Sequence, residues 1–417
     1  MEADAVIKKF SLMASVSALA LVLGADLAAA QELDVTKRPR PEYDAAGLRA
    51  GSFLIFPKTT ISETYNTNIY ATENNTADDF ITRLSPEITV NSDWNNHALN
   101  ARAFVDHAFY ASHNDEDYTD YGLLADGRID IQRSAYLFAG GGAEHLHEDR
   151  GSENAVNGTD PTEFDRYTAN LGGTYKPNRL GVTLEGNWKN LDFDDVSTST
   201  GATINNDDRD RDVYGERLRI GYDVQPGYTA FIQGSLNQRD YDSVPDDNGF
   251  NRNSDGYRVD AGIEVRLSNV IDAEFFGGYF NQNYDDARFS DVSAFDAGAR
   301  VLWSVNPLTT VKASLARSVE ETVQINSSSY VATIAEVGVD YELRRNILIG
   351  AGGSFSNNDY QGISRNDDVW RLNLNGKYLI NRRFFVGATV GYADRDSNTA
   401  NKSYEQFTAG AFVGAQF

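Results

Sequence analysis

From Gly51 to Phe417 the chain repeats one pattern: stretches of alternating apolar and polar residues, each closed by a break. At 257–267, Tyr257, Val259, Ala261, Ile263, Val265 and Leu267 share one face, while Arg258, Asp260, Gly262, Glu264 and Arg266 share the other. At 370–380, Trp370, Leu372, Leu374, Tyr378 and Ile380 oppose Arg371, Asn373, Asn375 and Lys377. At 331–343, Val331, Ala335, Val337, Val339, Tyr341 and Leu343 oppose Glu336, Asp340 and Glu342. The final stretch sets Phe407, Ala409, Ala411, Val413, Ala415 and Phe417 against Gln406, Thr408, Gly410, Gly414 and Gln416. Successive side chains of a strand point to opposite faces, so each stretch reads as a strand with one greasy and one wet side.

The breaks sort by length. Short turns fall near Trp94, Arg133, Asn178, Pro226, Asn269, Pro307, Arg345 and Arg382. Between them lie longer polar connections at about 71–79, 112–120, 147–163, 193–211, 242–254, 284–291, 320–328, 358–367 and 394–402. A soluble sandwich has no reason to alternate short and long connections; an up-and-down transmembrane barrel does. Aromatics recur at strand ends (Tyr167, Tyr175, Trp188, Tyr222, Tyr228, Tyr279, Trp303, Tyr392), as interfacial girdles require. The mean hydropathy of −0.46 fits, because only one face of each strand meets lipid. The expected fold is all-β: an antiparallel β-barrel of about eighteen strands (sixteen to eighteen) over residues 51–417, with both termini periplasmic.

Ahead of the barrel, Lys8 and Lys9 precede an apolar run from Phe10 to Leu23, and Ala28 to Ala30 form a small-residue cleavage site before Gln31. Residues 1–30 therefore read as a secretory signal peptide cut near Ala30, with the outer membrane of a Gram-negative bacterium as destination. Residues 31–50 do not alternate; with the basic run from Lys37 to Pro41 they read as a flexible periplasmic lead-in, too short for a helical plug. Cysteine is absent, which removes disulfides and a lipid-anchor thiol. The net charge of −24 excludes nucleic acid as a partner.

The stretch from Arg38 to Pro57, followed by Glu63 to Ala71, resembles the opening of a family of outer-membrane β-barrel porins common in alphaproteobacteria. The likeness is sharp over about residues 36–72 and continues only as strand rhythm and the terminal Phe417. Members often accompany exopolysaccharide biosynthesis and export systems. The resemblance implies a channel and passage of exopolysaccharide or oligosaccharide, and it brings no catalytic residues. Ending on an aromatic strand resembles the assembly signal of bacterial outer-membrane barrels, which assigns that role to Phe417.

Strand parity nominates the lumen-lining side chains. They are Arg102, Asp106, Asp126, Arg128 and Asp130, then Glu185, Lys189, Arg217, Arg219 and Asp223. Further along come Arg258, Asp260, Glu264, Arg266, Asp272 and Glu274, then Asp296, Arg300, Lys312, Glu336, Asp340, Arg371 and Lys377. As a set they suit a transport path; singly, each suits an ion pair in a solvated wall. Acid collects in the loops at Asp115 to Asp117, Asp192 to Asp195, Asp207 to Asp212, Asp246–Asp247 and Asp285–Asp286, and reads as solvated loop surface. His145 and His147 share a face if their strand continues, but two imidazoles lack the third ligand a metal needs. Asp106 and His107 are adjacent and so point apart, and no Gly-x-Ser-x-Gly elbow occurs, so no enzyme activity is expected. No cofactor or metal is expected. The expected partners are outer-membrane lipid, lipopolysaccharide, the barrel assembly machinery and polysaccharide export components. Alternatives are a plugged barrel serving adhesion or assembly, or a barrel hydrolase.

Overall fold

The computed structural model describes residues 34–267 and 270–417. The expected signal peptide and the turn residues Ser268 and Asn269 lie outside the described residues. Eighteen strands form one closed antiparallel barrel. In chain order β1–β6 are Phe53–Asn66, Asp79–Ser92, Ala98–Tyr110, Tyr118–Gln132, Ala135–His147 and Glu163–Tyr175. Strands β7–β12 are Leu180–Phe193, Arg211–Gln225, Tyr228–Tyr241, Ser254–Leu267, Ile271–Tyr284 and Val292–Asn306. Strands β13–β18 are Thr309–Glu321, Ser329–Arg344, Ile347–Tyr360, Asn366–Leu379, Phe384–Ser397 and Tyr404–Gln416. Each pairs with its neighbours in sequence, and β1 closes on β18 from Lys58 opposite Gln416 to Asn66 opposite Thr408. Closure leaves no free sheet edge, which lipid would not tolerate.

The outer face is a belt of exposed apolar side chains, among them Leu123, Ile129, Leu171, Leu184, Ile232, Leu236, Val259 and Leu372. Aromatic pairs bound it on single strands: Tyr167 with Tyr175, Tyr214 with Tyr222, and Trp370 with Tyr378, all exposed. Members of a pair stand roughly 27 Å apart along the strand at about 3.4 Å per residue. With a strand tilt of about 35–45° that spans roughly 19–22 Å along the barrel axis, most of the ~25 Å apolar band of an outer membrane. Trp188 and Tyr228 are half-buried instead.

On the inner face, glycines on one strand seat aromatic rings from the next. Phe276 lies where a Cβ on Gly298 would sit, Phe412 where one on Gly387 would sit, and Phe385 where one on Gly414 would sit. Each ring and its glycine are directly opposed in the register.

One seam interrupts the wall. Strands β12 and β13 pair from the turn only as far as Ala299 opposite Leu315. Above that point arginines take over the backbone groups. Arg258 donates to the Arg317 carbonyl at 3.1 Å, Arg239 to the Val319 carbonyl at 2.9 Å, and Arg317 to the Phe295 carbonyl at 2.9 Å. Val319 and Val331 then pack with Phe250, Phe280, Tyr284, Phe289 and Val292 as a buried cluster.

Candidate functional site

The inward charges form a chain of pairs around the wall. Arg102 meets Glu87 at 2.6 Å, Arg128 meets Asp130 at 2.8 Å, and Arg217 meets Glu185. Arg219 bridges Glu264 and, at 2.9 Å, Glu274, while lying over the Phe231 ring. Arg266 approaches Glu264 at 3.4 Å and Asp272 at 3.9 Å; Arg300 reaches the same Asp272 at 3.4 Å. Arg258 meets Asp296 at 3.2 Å, Lys312 meets Asp340 at 2.9 Å, and Asp223 takes Lys176 at 2.9 Å. Neutral donors serve other carboxylates: Ser85 for Asp106, Asn100 for Asp126 at 2.9 Å, Gln233 for Asp260 at 3.5 Å and Ser314 for Glu336 at 2.9 Å. Lys377 caps the Phe385 ring at 4.1 Å, and Lys189 stands opposite Thr168 and Val213 in the register. Arg371 is different. Among the described residues its side chain makes neither a salt bridge nor a hydrogen bond, and it lines a cavity.

That cavity, of about 1190 Å³, runs inside β1–β6 and β15–β18. Arg102, Asp106, Asp126, Arg371 and Lys377 line it; the remaining nominated side chains do not. Two segments that do not belong to the wall bound it.

At the short-turn end the lead-in is tucked inside, contrary to the expected flexible tail. Asp34, Val35 and Arg40 are buried. Asp34 pairs with Lys312 at 2.8 Å, the Val35 N–H donates to Thr310 Oγ1 at 2.9 Å, and Arg40 meets Glu342 at 2.7 Å with both side chains nearly sealed from solvent. Arg38 donates to Ser304 Oγ at 2.7 Å, and Gln416 reaches the Tyr43 carbonyl at 3.2 Å. Leu48–Ala50 then runs antiparallel along Phe53–Ile55 and leads into β1. Charge complementarity and prolines, which suit an extended path, hold the segment without any helix.

At the opposite end, loop 148–162 folds inward and crosses to the far wall. Arg150 grips Glu116 at 2.9 Å. Glu153 takes Asn358 at 2.8 Å and lies 3.5 Å from Arg365 and 3.4 Å from Arg395; Asn154 donates to the Glu321 carbonyl at 3.1 Å. Burial and the neighbouring Asp367 carboxylate keep the Glu153 carboxyl above its ordinary range, against Arg395, Arg365 and Arg371. Asp149 shows the reverse. Burial pushes it up, but the hydrogen bond and charge of His147, with Arg83 and Arg371, hold it below the ordinary carboxylate range.

Two expectations need correction. His145 and His147 do not act from one face: His145 stacks on Tyr121 and bonds Asp165 at 2.8 Å, whereas His147, the last residue of its strand, stacks at 3.5 Å on buried Tyr118 and bonds Asp120 at 2.8 Å. The strand ends there, so parity no longer governs. The acid loops are not simply solvated either. Asp246 is buried against Arg252 at 2.6 Å, and Arg252 also holds the Thr322 and Ser327 carbonyls. Asp210 accepts the Phe193 N–H at 2.7 Å; burial first, then Asp192, Asp207 and Asp242, push its carboxyl up to about 7.

Sequence reasoning missed Arg83, Tyr110, Tyr118 and Asp149, all lining the cavity. Arg83 shares the parity of Ser85 and Glu87, a signal that was present. Loop crossings leave no periodic signal. Phe417 is half exposed and donates its N–H to the Pro57 carbonyl at 3.0 Å, beside the β1–β18 closure.

Residues 40–417 match the family model described as "Putative beta-barrel porin 2". No curated protein matches the sequence. Among solved structures, the outer membrane protein OpdK of Pseudomonas aeruginosa aligns at 11% identity and TM-score 0.43, covering 87% of this chain and 99% of OpdK. OccAB4 of Acinetobacter baumannii aligns at 13% identity and TM-score 0.45, covering 91% of this chain and 100% of OccAB4. A mutant of the ferric enterobactin receptor PfeA of Pseudomonas aeruginosa aligns at 8% identity and TM-score 0.46, covering 90% and 81%.

Proposed function

The chain belongs to the beta-barrel porin 2 family, a porin-like outer-membrane barrel, and from this we propose that it is a constricted channel passing oligosaccharide or exopolysaccharide segments. One observation carries the reading: a cavity of about 1190 Å³ inside the wall, lined by charged, polar and apolar side chains and narrowed at one end by residues 34–45 and at the other by loop 148–162. A barrel of this strand number is too wide for wall side chains to fill, so segments of the chain must set its bore. Five of the nominated inward charges, Arg102, Asp106, Asp126, Arg371 and Lys377, lie along the cavity that a hydroxyl-rich solute would pass. Export follows removal of residues 1–30. Assembly machinery reads β18 with Phe417, and the belt meets lipid with lipopolysaccharide around the acidic loops.

The same two constrictions favour a second reading, a plugged barrel serving adhesion or assembly. Purified protein in planar bilayers separates the two. Stable ohmic steps in salt support the channel; a correctly folded, heat-modifiable barrel that never conducts supports the scaffold.

A further inference from the structure

Most cations on the inner wall are spoken for; Arg83 and Arg371 are not. Arg83 lies over the Tyr118 ring at 5.8 Å, its Nε is buried without a partner, and among the described residues it makes no salt bridge. The side chain of Arg371, on β16, likewise makes neither a salt bridge nor a hydrogen bond among those residues, though it lines the same cavity. Asp149 on the inward loop is close enough to both for their charges to lower its carboxyl pKa. Arg83 Nε is a buried donor without an acceptor, and the half-buried Arg371 guanidinium lines the same cavity, so the pair points to a ligand that supplies acceptors.

The cavity's charge tells which ligand. Its lining carries as many carboxylates as lysines and arginines, nine of each. The uncharged part of the lining mixes polar side chains, Asn100, Asn373 and Gln406 among them, with apolar ones such as Phe104, Leu124 and Leu379, as the two-faced surface of a sugar ring requires. A polyanion would first pass the acidic loops and then meet a lining with no net charge to reward it. An uncharged polyol has what the lining lacks: hydroxyl oxygens accept from guanidinium groups, and hydroxyl protons donate to carboxylates and amide oxygens. The volume exceeds that of an ordinary small-ligand pocket, about 300–1,000 Å³, and admits several sugar rings.

We propose that this cavity is a binding site for a neutral oligosaccharide, held by Arg83 and Arg371 and closed over by Asp149 of loop 148–162. The inference rests on the channel reading for its role in passage, but the binding step can be tested apart from conduction.

The test is calorimetric titration of the detergent-solubilised protein with maltohexaose and, separately, with hexagalacturonate. The expected result is saturable maltohexaose binding at least tenfold tighter than hexagalacturonate. Arg83→Gln and Arg371→Gln should each weaken it tenfold or more, while Arg288→Gln, in an exposed loop, should leave it unchanged. Heat-modifiable mobility of every variant checks that the barrel still folds. Equal or preferential binding of the acidic sugar, no binding of either, or indifference to both substitutions would overturn the site. Salt conductance with no sugar binding would do so while leaving the channel standing; sugar binding without conductance would keep the site and sink the channel.

Discussion

The tightest constraints act on single residues whose partners come from far along the chain. Arg40 and Glu342 are both nearly sealed from solvent at 2.7 Å, so removing Arg40 leaves the buried Glu342 carboxylate with only the exposed Arg345 at 3.3 Å. Arg40→Ala should loosen the lead-in by about 3–5 kcal/mol, seen as rapid proteolysis within residues 31–50 while the barrel stays intact. The double replacement Arg40→Met with Glu342→Met should restore protection, because a packed apolar pair avoids the stranded charge. If the single change leaves protease resistance untouched, the ion pair does not hold the segment. Gly298 makes a second case. Phe276 fills its Cβ position, so Gly298→Val should cost about 1–3 kcal/mol by overpacking, read as a lowered urea midpoint of the heat-modifiable form. An unchanged midpoint would mean the ring simply swings away. The alternation of Arg258 with Val259 is legible because water and lipid impose a period of two; the unpartnered Nε of Arg83 is not, because parity says which face a residue takes and nothing about who meets it.

Elements divide the same way. All eighteen strands announce themselves through alternation, and their short and long connections fall where the residue runs place them. What the loops do afterwards is a matter of distant contacts, such as Glu153 beside Arg395 or Arg252 capping the Thr322 carbonyl, and these have no period to read. Loop 194–210 carries a testable consequence. The loop is docked through Arg209, which meets Glu148 at 2.6 Å, and its Asp210 carboxyl is raised from 3.8 to about 7 there, so the docked form holds its proton more tightly than the undocked one. The docking advantage is therefore full below about 3.8 and is lost as pH rises through about 7. Protease cleavage within 194–210 should be faster at pH 8 than at pH 6, and Asp210→Asn should flatten that difference. Equal rates at both pH values for the unaltered protein would show that Asp210 does not govern docking.

At the scale of the whole molecule, the wall and its contents answer to different physics. The wall is fixed by solvent on both sides, lipid without and water within, which is why its architecture could be read before any contact was known. The contents are fixed by how much lumen an eighteen-strand circumference leaves open, and by which segments reach into it. The lead-in departs from its expected form for that reason: an extended, basic, proline-containing run resembles a free tail until wall groups at Ser304, Thr310, Lys312 and Glu342, on the adjacent strands β12–β14, take hold of it. This separation predicts that the bore can be changed without disturbing the barrel. Deleting residues 34–45 removes interactions with the hairpins at the short-turn end but none of the ladder that closes β1 on β18, since pairing there begins only at Lys58. Single-channel conductance in bilayers should rise severalfold on that deletion, with heat-modifiable mobility retained. It should rise further when loop 148–162 is also replaced by a short turn, because the two constrictions lie in series along one path. Conductance equal to that of the full-length protein after both changes would place the narrowest point in the wall itself, and the segments would then be ornaments of the lumen rather than its gauge.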